Sequence, residues 1–334
     1  MSTKVIDGVY KIEVPMFGPL QCLNSYLILG KGHGRNLIID VGYDEPKAQE
    51  TLRSQMAELG ADFTNTDIFL THSHVDHAEA AGGIKREHPD VKIFIGERDG
   101  QYLRDFALGK ETRWNWPMDQ MLLMGFSKEF YLAFKEHREK REKERASRVT
   151  LVDYDYVHDG DILNYGGHEL RCMSCPGHSP GLTCLYMADN NLMFLGDNVL
   201  FDITPGISCW DENDDPLDAY LHNVEKLKEL EIDIPLPAHR GVYCTCHERI
   251  DEILVHHNVR LEEAKTVLRN NPGATAYEVA SKLTWNVMNG DWSKFTLDLR
   301  VSATGEAIAH LNYFVGKGIA KRETVDGVWH FYLL

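Results

Sequence analysis

The chain has 334 residues, more than the roughly 250–300 at which a single core usually stops growing, so one large domain with a smaller companion is expected. Its 43% hydrophobic and 26% charged content excludes a disordered chain, and a formal net charge of −16 disfavours nucleic acid as the main partner. No run approaches the roughly 18 apolar residues that a spanning helix needs, the start lacks a leader's basic-then-apolar layout, and seven cysteines suit a reducing compartment, so a cytoplasmic, membrane-free protein is expected.

Residues 9–95 read mainly as strands. "GVYKIEV", "NSYLILG", "NLIIDVG", "DIFLTH" and "VKIFIG" are short, β-rich and bounded by Gly, Pro or Asp. Helical patterns fall at 46–60 and 76–88. Residues 98–150 break the pattern with a long helical stretch. Its first half is aromatic and Met-rich, fitting either a helix packed on the body or an apolar lid formed by 114–134; its second half, "KEHREKREKERASR", reads as a solvated helix. Lys135, Arg138, Lys140 and Arg141 could meet phosphates there, but they alternate with Glu.

Short strands return over 151–209, and Leu217, Tyr220, Leu221, Val224, Leu227 and Leu230 mark a helix over 216–232. The close pairs Cys172–Cys175 and Cys244–Cys246 read as small buried hydrophobes rather than a zinc site. From 247 a long helix ending at Asn271-Pro272-Gly273, two further helices (the third over 305–315) and a hairpin turning at Asp326-Gly327 give a winged-helix layout. The third helix, read over 305–315, carries no Lys or Arg, which favours packing or dimerisation over DNA binding. A homodimer is left open. His256 and His257 are expected at the surface or an interface. "GKGHGR" at 30–35 reads as a turn without the Lys-Ser/Thr of a phosphate loop, and "HDGD" at 158–161 reads as a turn.

The informative stretch is "DIFLTHSHVDHAEAAGG", residues 67–83, with three histidines and an aspartate in six positions. Crowded imidazoles repel when protonated and bury polar edges when neutral; a cation consumes their lone pairs and removes both problems. His72 and His74, two apart and leaving a strand end, are expected to face a common metal. Asp76 and His77, at the start of the next helix, can reach a second ion. Four ligands do not close two sites. Further donors stand at other strand ends: His178 in "SCPGHSPGLT", Asp197 in "LMFLGDNVLF" and His239 in "IPLPAHRG".

His-x-His-x-Asp-His, a PGH turn, a strand-ending GD and a late AH before Arg-Gly resemble the metallo-β-lactamase superfamily over about residues 9–245. The resemblance is nearest to hydroxyacylglutathione hydrolase (glyoxalase II)-like thioesterases with a C-terminal winged helix; Glu79 stands where the common form has Gly. It implies an α/β fold, the αββα sandwich, over 1–246, with 98–150 as a helical insertion or lid and 247–334 as a winged-helix-like domain. It further implies that His72, His74 and His178 hold one metal, that Asp76, His77 and His239 hold a second, and that Asp197 bridges both. Two divalent ions, zinc first and iron or manganese also compatible, then activate a bridging hydroxide against a small-molecule acyl substrate, with Asp76 as the catalytic residue that orients or deprotonates it. Thioester hydrolysis leads, and lactones and esters follow. A nuclease of the same fold, or a sensor that signals through the winged helix, are the alternatives. A flavodiiron oxidoreductase resembles the core too, but that family has Glu where His74 stands, and a flavodoxin domain.

Overall fold

The structure, a computed structural model, describes residues 2–334 except 19, 33, 111–117, 147–149 and 210–213; along 140–146 only the backbone is described. In chain order the elements begin with β1 (Thr3–Ile6), β2 (Val9–Pro15), β3 (Cys22–Ile28), β4 (Asn36–Ile39), α1 (Pro46–Glu58) and β5 (Thr66–Leu70). Then come α2 (Val75–Ala78), α3 (Ala81–Glu87), β6 (Ile93–Gly96), α4 (Glu97–Ala107), α5 (Met118–Leu123) and α6 (Lys128–Ala146). Next are β7 (Asp155–Val157), β8 (Ile162–Tyr165), β9 (His168–Ser174), β10 (Thr183–Met187), β11 (Leu192–Gly196), α7 (Pro216–Leu227) and β12 (Ile234–Pro237). The chain closes with α8 (Cys246–Asn270), α9 (Ala276–Ala280), α10 (Leu297–Gly316), β13 (Ala320–Val325) and β14 (Val328–Leu333).

Residues 1–110, 145–205 and 223–250 form one compact unit. Its larger sheet has the order β1-β2-β3-β4-β5-β6-β7, antiparallel up to β4 and parallel from β4 to β7. The smaller sheet runs β12-β11-β10-β9-β8, with only β11 and β12 parallel. Alternation along the strands builds two cores. Leu37, Ile39 and Phe69 face Leu185, Leu192 and Phe194 of the smaller sheet, whereas Ile38, Ile68 and Leu70 face Leu52 and Met56 of α1 and Ile84 of α3. This is the mixed α/β architecture expected: two sheets face to face, with helices against the outer face of the larger sheet. Strand β5 is buried along its whole length, as a central parallel strand should be.

The helix expected over 76–88 is two short helices. Ala80 donates its N–H to Gly42 O (3.1 Å) and the His77 carbonyl accepts from Val41 N and Gly42 N (3.0 and 3.2 Å), so bonds to the 41–42 loop replace the helical ladder at the break. Helix α10 starts at Leu297, eight positions ahead of the expected 305, because the Thr296 hydroxyl caps it by accepting from Leu299 N. Among the described residues, the 98–150 stretch holds three separate helices, α4, α5 and α6.

The second unit comprises 111–144, 206–222 and 251–334. Met121, Met124, Phe126 and Phe134 are buried, and Phe126 and Phe130 pack against Tyr277 at 4.9 and 6.0 Å between ring centroids. The aromatic part of 118–134 is therefore committed to this unit's own core; Trp114 and Trp116 of the expected lid lie outside the described residues. Lys135 pairs with Glu139 at 3.8 Å and Arg138 lies over the Phe134 ring, while the Lys140 and Arg141 side chains also lie outside the description. A capping box at Thr275 and Glu278 starts α9. His257, expected at the surface or an interface, is buried within this unit. It is 2% exposed, with its ring against Tyr220 and His310, and neither ring nitrogen has a hydrogen-bond partner.

Burial, with His310 nearby, drives His257 down to about 2, and burial drives His310 down to about 4. Both are neutral when folded, and both bind a proton near pH 6.5 when unfolded. The stability these two groups contribute is therefore full above pH 6.5 and falls below it, by about 1.4 kcal/mol per pH unit for each group. Melting temperatures measured from pH 7.5 to 5 should fall with pH, and His257→Leu should flatten that slope.

Candidate metal centre

The seven donors stand at strand ends of the first unit and on the short helix α2, which carries Asp76 and His77 and has His74 at its N-cap. Strand β5 runs into Thr71-His72, and β11 and β12, parallel neighbours, run into Asp197 and into Ala238-His239. The turn after β9 carries His178. Two contacts join the rims of the sheets: Thr183 N donates to Thr71 O at 2.9 Å and Asn24 N to Ala238 O at 2.7 Å. Gly196 makes the approach possible. Its φ is +52°, and a Cβ there would lie 2.8 Å from Thr71 Cβ, so any side chain would push Asp197 away from the His72 loop.

Among the described residues, two groups of potential ligand atoms lie within 4.8 Å of one another: His72, His74, His178 and Asp197, and Asp76, His77 and His239. All seven sequence-expected residues are thus brought together. Asp197 faces both groups, with one carboxylate oxygen 3.4 Å from His178 Nε2 and 3.6 Å from His77 Nε2, and the other 3.5 Å from His239 Nε2. Asp76 lies 3.4 Å from His239 Nε2 and 3.8 Å from His77 Nε2.

Hydrogen bonds behind the rings decide which nitrogen faces inward. His239 Nδ1 donates to Cys22 O (3.0 Å) and His77 Nδ1 to Asp40 Oδ2 (2.8 Å). Thr71 Oγ1 gives its proton to Asp40 Oδ2 (2.8 Å), so it accepts from His72 Nδ1 (3.0 Å). Each of these three imidazoles therefore turns Nε2 to the centre, the arrangement in which a metal-binding histidine is held.

The donor set fits divalent cations on direct observation. His77 Nε2, His239 Nε2 and Asp197 Oδ1 are buried and make no hydrogen bond. His74 Nδ1 lies 2.9 Å from both His72 Nε2 and His178 Nε2, and with His72 Nε2 unprotonated one proton cannot satisfy all three nitrogens. Burial drives His72 well below its ordinary value, and burial with the neighbouring His178 ring brings His74 down to about 3. Burial also presses on His77, but Asp40, Asp197 and Asp76 hold it well above the usual imidazole value. Burial raises the Asp76 carboxyl less than His77 and His239 lower it, to about 2, so it is ionised at neutral pH. Against its burial, His239 is likewise raised by Asp76 and Asp197, so without a cation the carboxylates hold protons on the His77 and His239 rings. A cation takes the place of those protons, leaving the neutral imidazoles and ionised carboxylates that ligation requires.

Two supporting carboxylates escaped the sequence analysis. Asp40, φ +58°, directly follows β4 and accepts from Thr71 N, Thr71 Oγ1 and His77 Nδ1. Asp99, in the first turn of α4, accepts from Ser73 N, Ser179 Oγ and Gly181 N. A signal was present for Asp40, which follows an apolar strand as Asp197 does. Glu79 accepts from Asp44 N at 3.1 Å, bracing the loop behind α2.

A family model for the metallo-beta-lactamase superfamily matches residues 22–239, more than half of the chain. The chain belongs to that superfamily. A beta-lactamase-like protein 2 homolog of Caenorhabditis elegans is 24% identical over 283 residues, 84% of this chain and 77% of its own. An atrochrysone carboxyl ACP thioesterase of Paecilomyces divaricatus is 24% identical over 267 residues, 79% of this chain and 66% of its own. Among solved structures, a metallo-beta-lactamase family protein of Thermus thermophilus superposes with a TM-score of 0.81 at 24% identity, covering 99% of this chain and 100% of that one. A beta-lactamase domain protein of Burkholderia ambifaria gives a TM-score of 0.83 at 22% identity, covering 100% of this chain and 94% of the other. These likenesses establish the superfamily fold along the chain.

If the seven donors hold cations only when the chain is folded, zinc must stabilise the stripped protein. At free zinc about 100-fold above the dissociation constant the gain is about 2.7 kcal/mol, and the melting curve should move up accordingly. Asp197→Ala, which removes the group facing both sides, should blunt the shift. A curve unmoved by zinc in the unaltered protein would contradict the metal reading.

Proposed function

We propose that this superfamily hydrolase is dinuclear and cleaves a thioester of acyl-glutathione or acyl-coenzyme A type, or a related ester or lactone. The observation that carries the reading is the Asp197 carboxylate between two donor groups, each supplying three further ligands. The relatives named as carboxyl ACP thioesterases support the thioester. Divalent ions bound there, zinc by preference and iron(II) or manganese(II) on the same donors, lower the pKa of a coordinated water and polarise a carbonyl oxygen.

The chain's own residues supply the rest. Asp76 keeps 15% of its side chain exposed, whereas His77 and His239 are fully covered. Its ionised carboxylate therefore faces the open side, where it can accept a hydrogen bond from the attacking water and aim it at an acyl carbon. A thiol leaves with a pKa near 8.5, so departure needs no strong acid from the protein. A net charge of −16 is the wrong sign for gripping the long phosphate backbone of a nucleic acid, which weighs against the nuclease alternative. We assign α8, α9, α10 and the β13–β14 hairpin to packing or self-association rather than nucleic-acid reading.

Free-thiol release from a panel of acyl-glutathione and acyl-coenzyme A substrates tests this. Turnover should vanish on chelation and return with zinc. Asp76→Asn should lower kcat/KM by about 10²-fold or more, the scale on which a positioned acid–base group contributes. RNA cleavage without thioester turnover would transfer the centre to phosphodiester chemistry, and metal binding without any hydrolysis would favour a sensor.

A further inference from the structure

Asp99 touches none of the seven donors, yet its side chain is fully buried and every hydrogen bond it accepts comes from a segment carrying a donor. Its Oδ2 accepts from Ser73 N at 2.8 Å and from Ser179 Oγ at 2.7 Å, and its Oδ1 accepts from Gly181 N at 2.7 Å. Ser73 lies between His72 and His74, and Ser179 follows His178. One carboxylate thus fastens together the two stretches of chain, about a hundred residues apart, that supply the three imidazoles of the first group.

Two glycines press the same point. A Cβ on Gly181 would lie 2.5 Å from Asp99 N, and one on Gly96 would lie 2.1 Å from Gly181 O. The 178–181 turn lies flat on the β6–α4 junction, and no side chain fits between them. A carboxylate in the first turn of a helix is also held favourably by the helix dipole. Asp40 serves the other side: it accepts directly from His77 Nδ1 and reaches the first group only through Thr71.

We propose that Asp99 is the positioning residue of the first ion, setting the separation of the His72/His74 pair from His178, while the Asp76, His77 and His239 group assembles without it. The inference rests on the dinuclear reading and adds a division of labour: two buried carboxylates, one for each ion. Removing Asp99 frees the 178–181 turn and leaves Ser73 N–H and Gly181 N–H unsatisfied, so the three nitrogens no longer converge. Supporting groups of this kind contribute about 10–100-fold in metal affinity.

The test is zinc titration of stripped full-length protein against a chromophoric chelator, alongside circular dichroism and melting of the metal-free forms. The unaltered protein should bind two ions. Asp99→Ala should keep one ion at unaltered affinity and bind the other about 10–100-fold more weakly. Ser179→Ala, which removes one bond of three, should weaken the same single ion to a smaller extent. Asp99→Asn should fall between them, because its amide N–H₂ meets the Ser73 N–H. Should Asp99→Ala fail to fold, the Asn and Ser179 variants decide on the same readout. Equal weakening of both ions, or no change in either, overturns the proposal. Absence of any ion from the unaltered protein would instead defeat the metal reading beneath it.

Discussion

Five imidazoles and two carboxylates share one small buried volume, and their lone pairs repel unless something positive lies between them. The conflict is most acute at His74 Nδ1, which faces two other ring nitrogens at 2.9 Å. Protons relieve it poorly. Burial disfavours charge on His72 and His74, while the nearby carboxylates draw a proton onto His77. Cations answer both demands, because they neutralise the carboxylates and occupy the imidazole lone pairs together.

The fold serves that constraint with few devices. Strand ends deliver His72, Asp197 and His239, the turn after β9 delivers His178, and the short helix α2 carries Asp76 and His77 with His74 at its N-cap, so no long loop sets a donor's position. Gly196 lets the smaller sheet touch Thr71, and Gly181 lets the His178 turn lie against α4. Behind the donors, Asp40, Asp99, Thr71 and the Cys22 carbonyl spend their hydrogen-bonding capacity on orientation. Substrate choice must then come from the residues around the open side, where Asp76, His74 and His178 retain some exposure.

Much of this was legible in the sequence, and the exceptions have physical causes. The seven donors announced themselves because imidazoles crowd at residues 72–77 and because each remaining donor ends an apolar run. Asp99 did not, since a single buried aspartate has no spacing signature and its partners lie far along the chain; Asp40 shared the strand-end signal of Asp197 but stood apart from the histidine cluster. Strands β2 to β6 read from local pattern alone. The start of α10 depended on a threonine cap, and the break between α2 and α3 on bonds to residues 41 and 42. The grouping of 111–144 with 251–334 arises from non-local packing, as does the burial of His257 against Tyr220 and His310. Periodicity along one helix marks which residues share a face, not what covers that face.

The net charge of −16 disfavours nucleic acid, but the chemistry stands or falls with the cations. The most direct measurement is anomalous diffraction at the zinc edge from crystals of zinc-loaded protein. Two peaks on opposite sides of the Asp197 carboxylate, one against His72, His74 and His178 and one against Asp76, His77 and His239, are predicted. A map without peaks, or with a peak that avoids these side chains, would contradict the account.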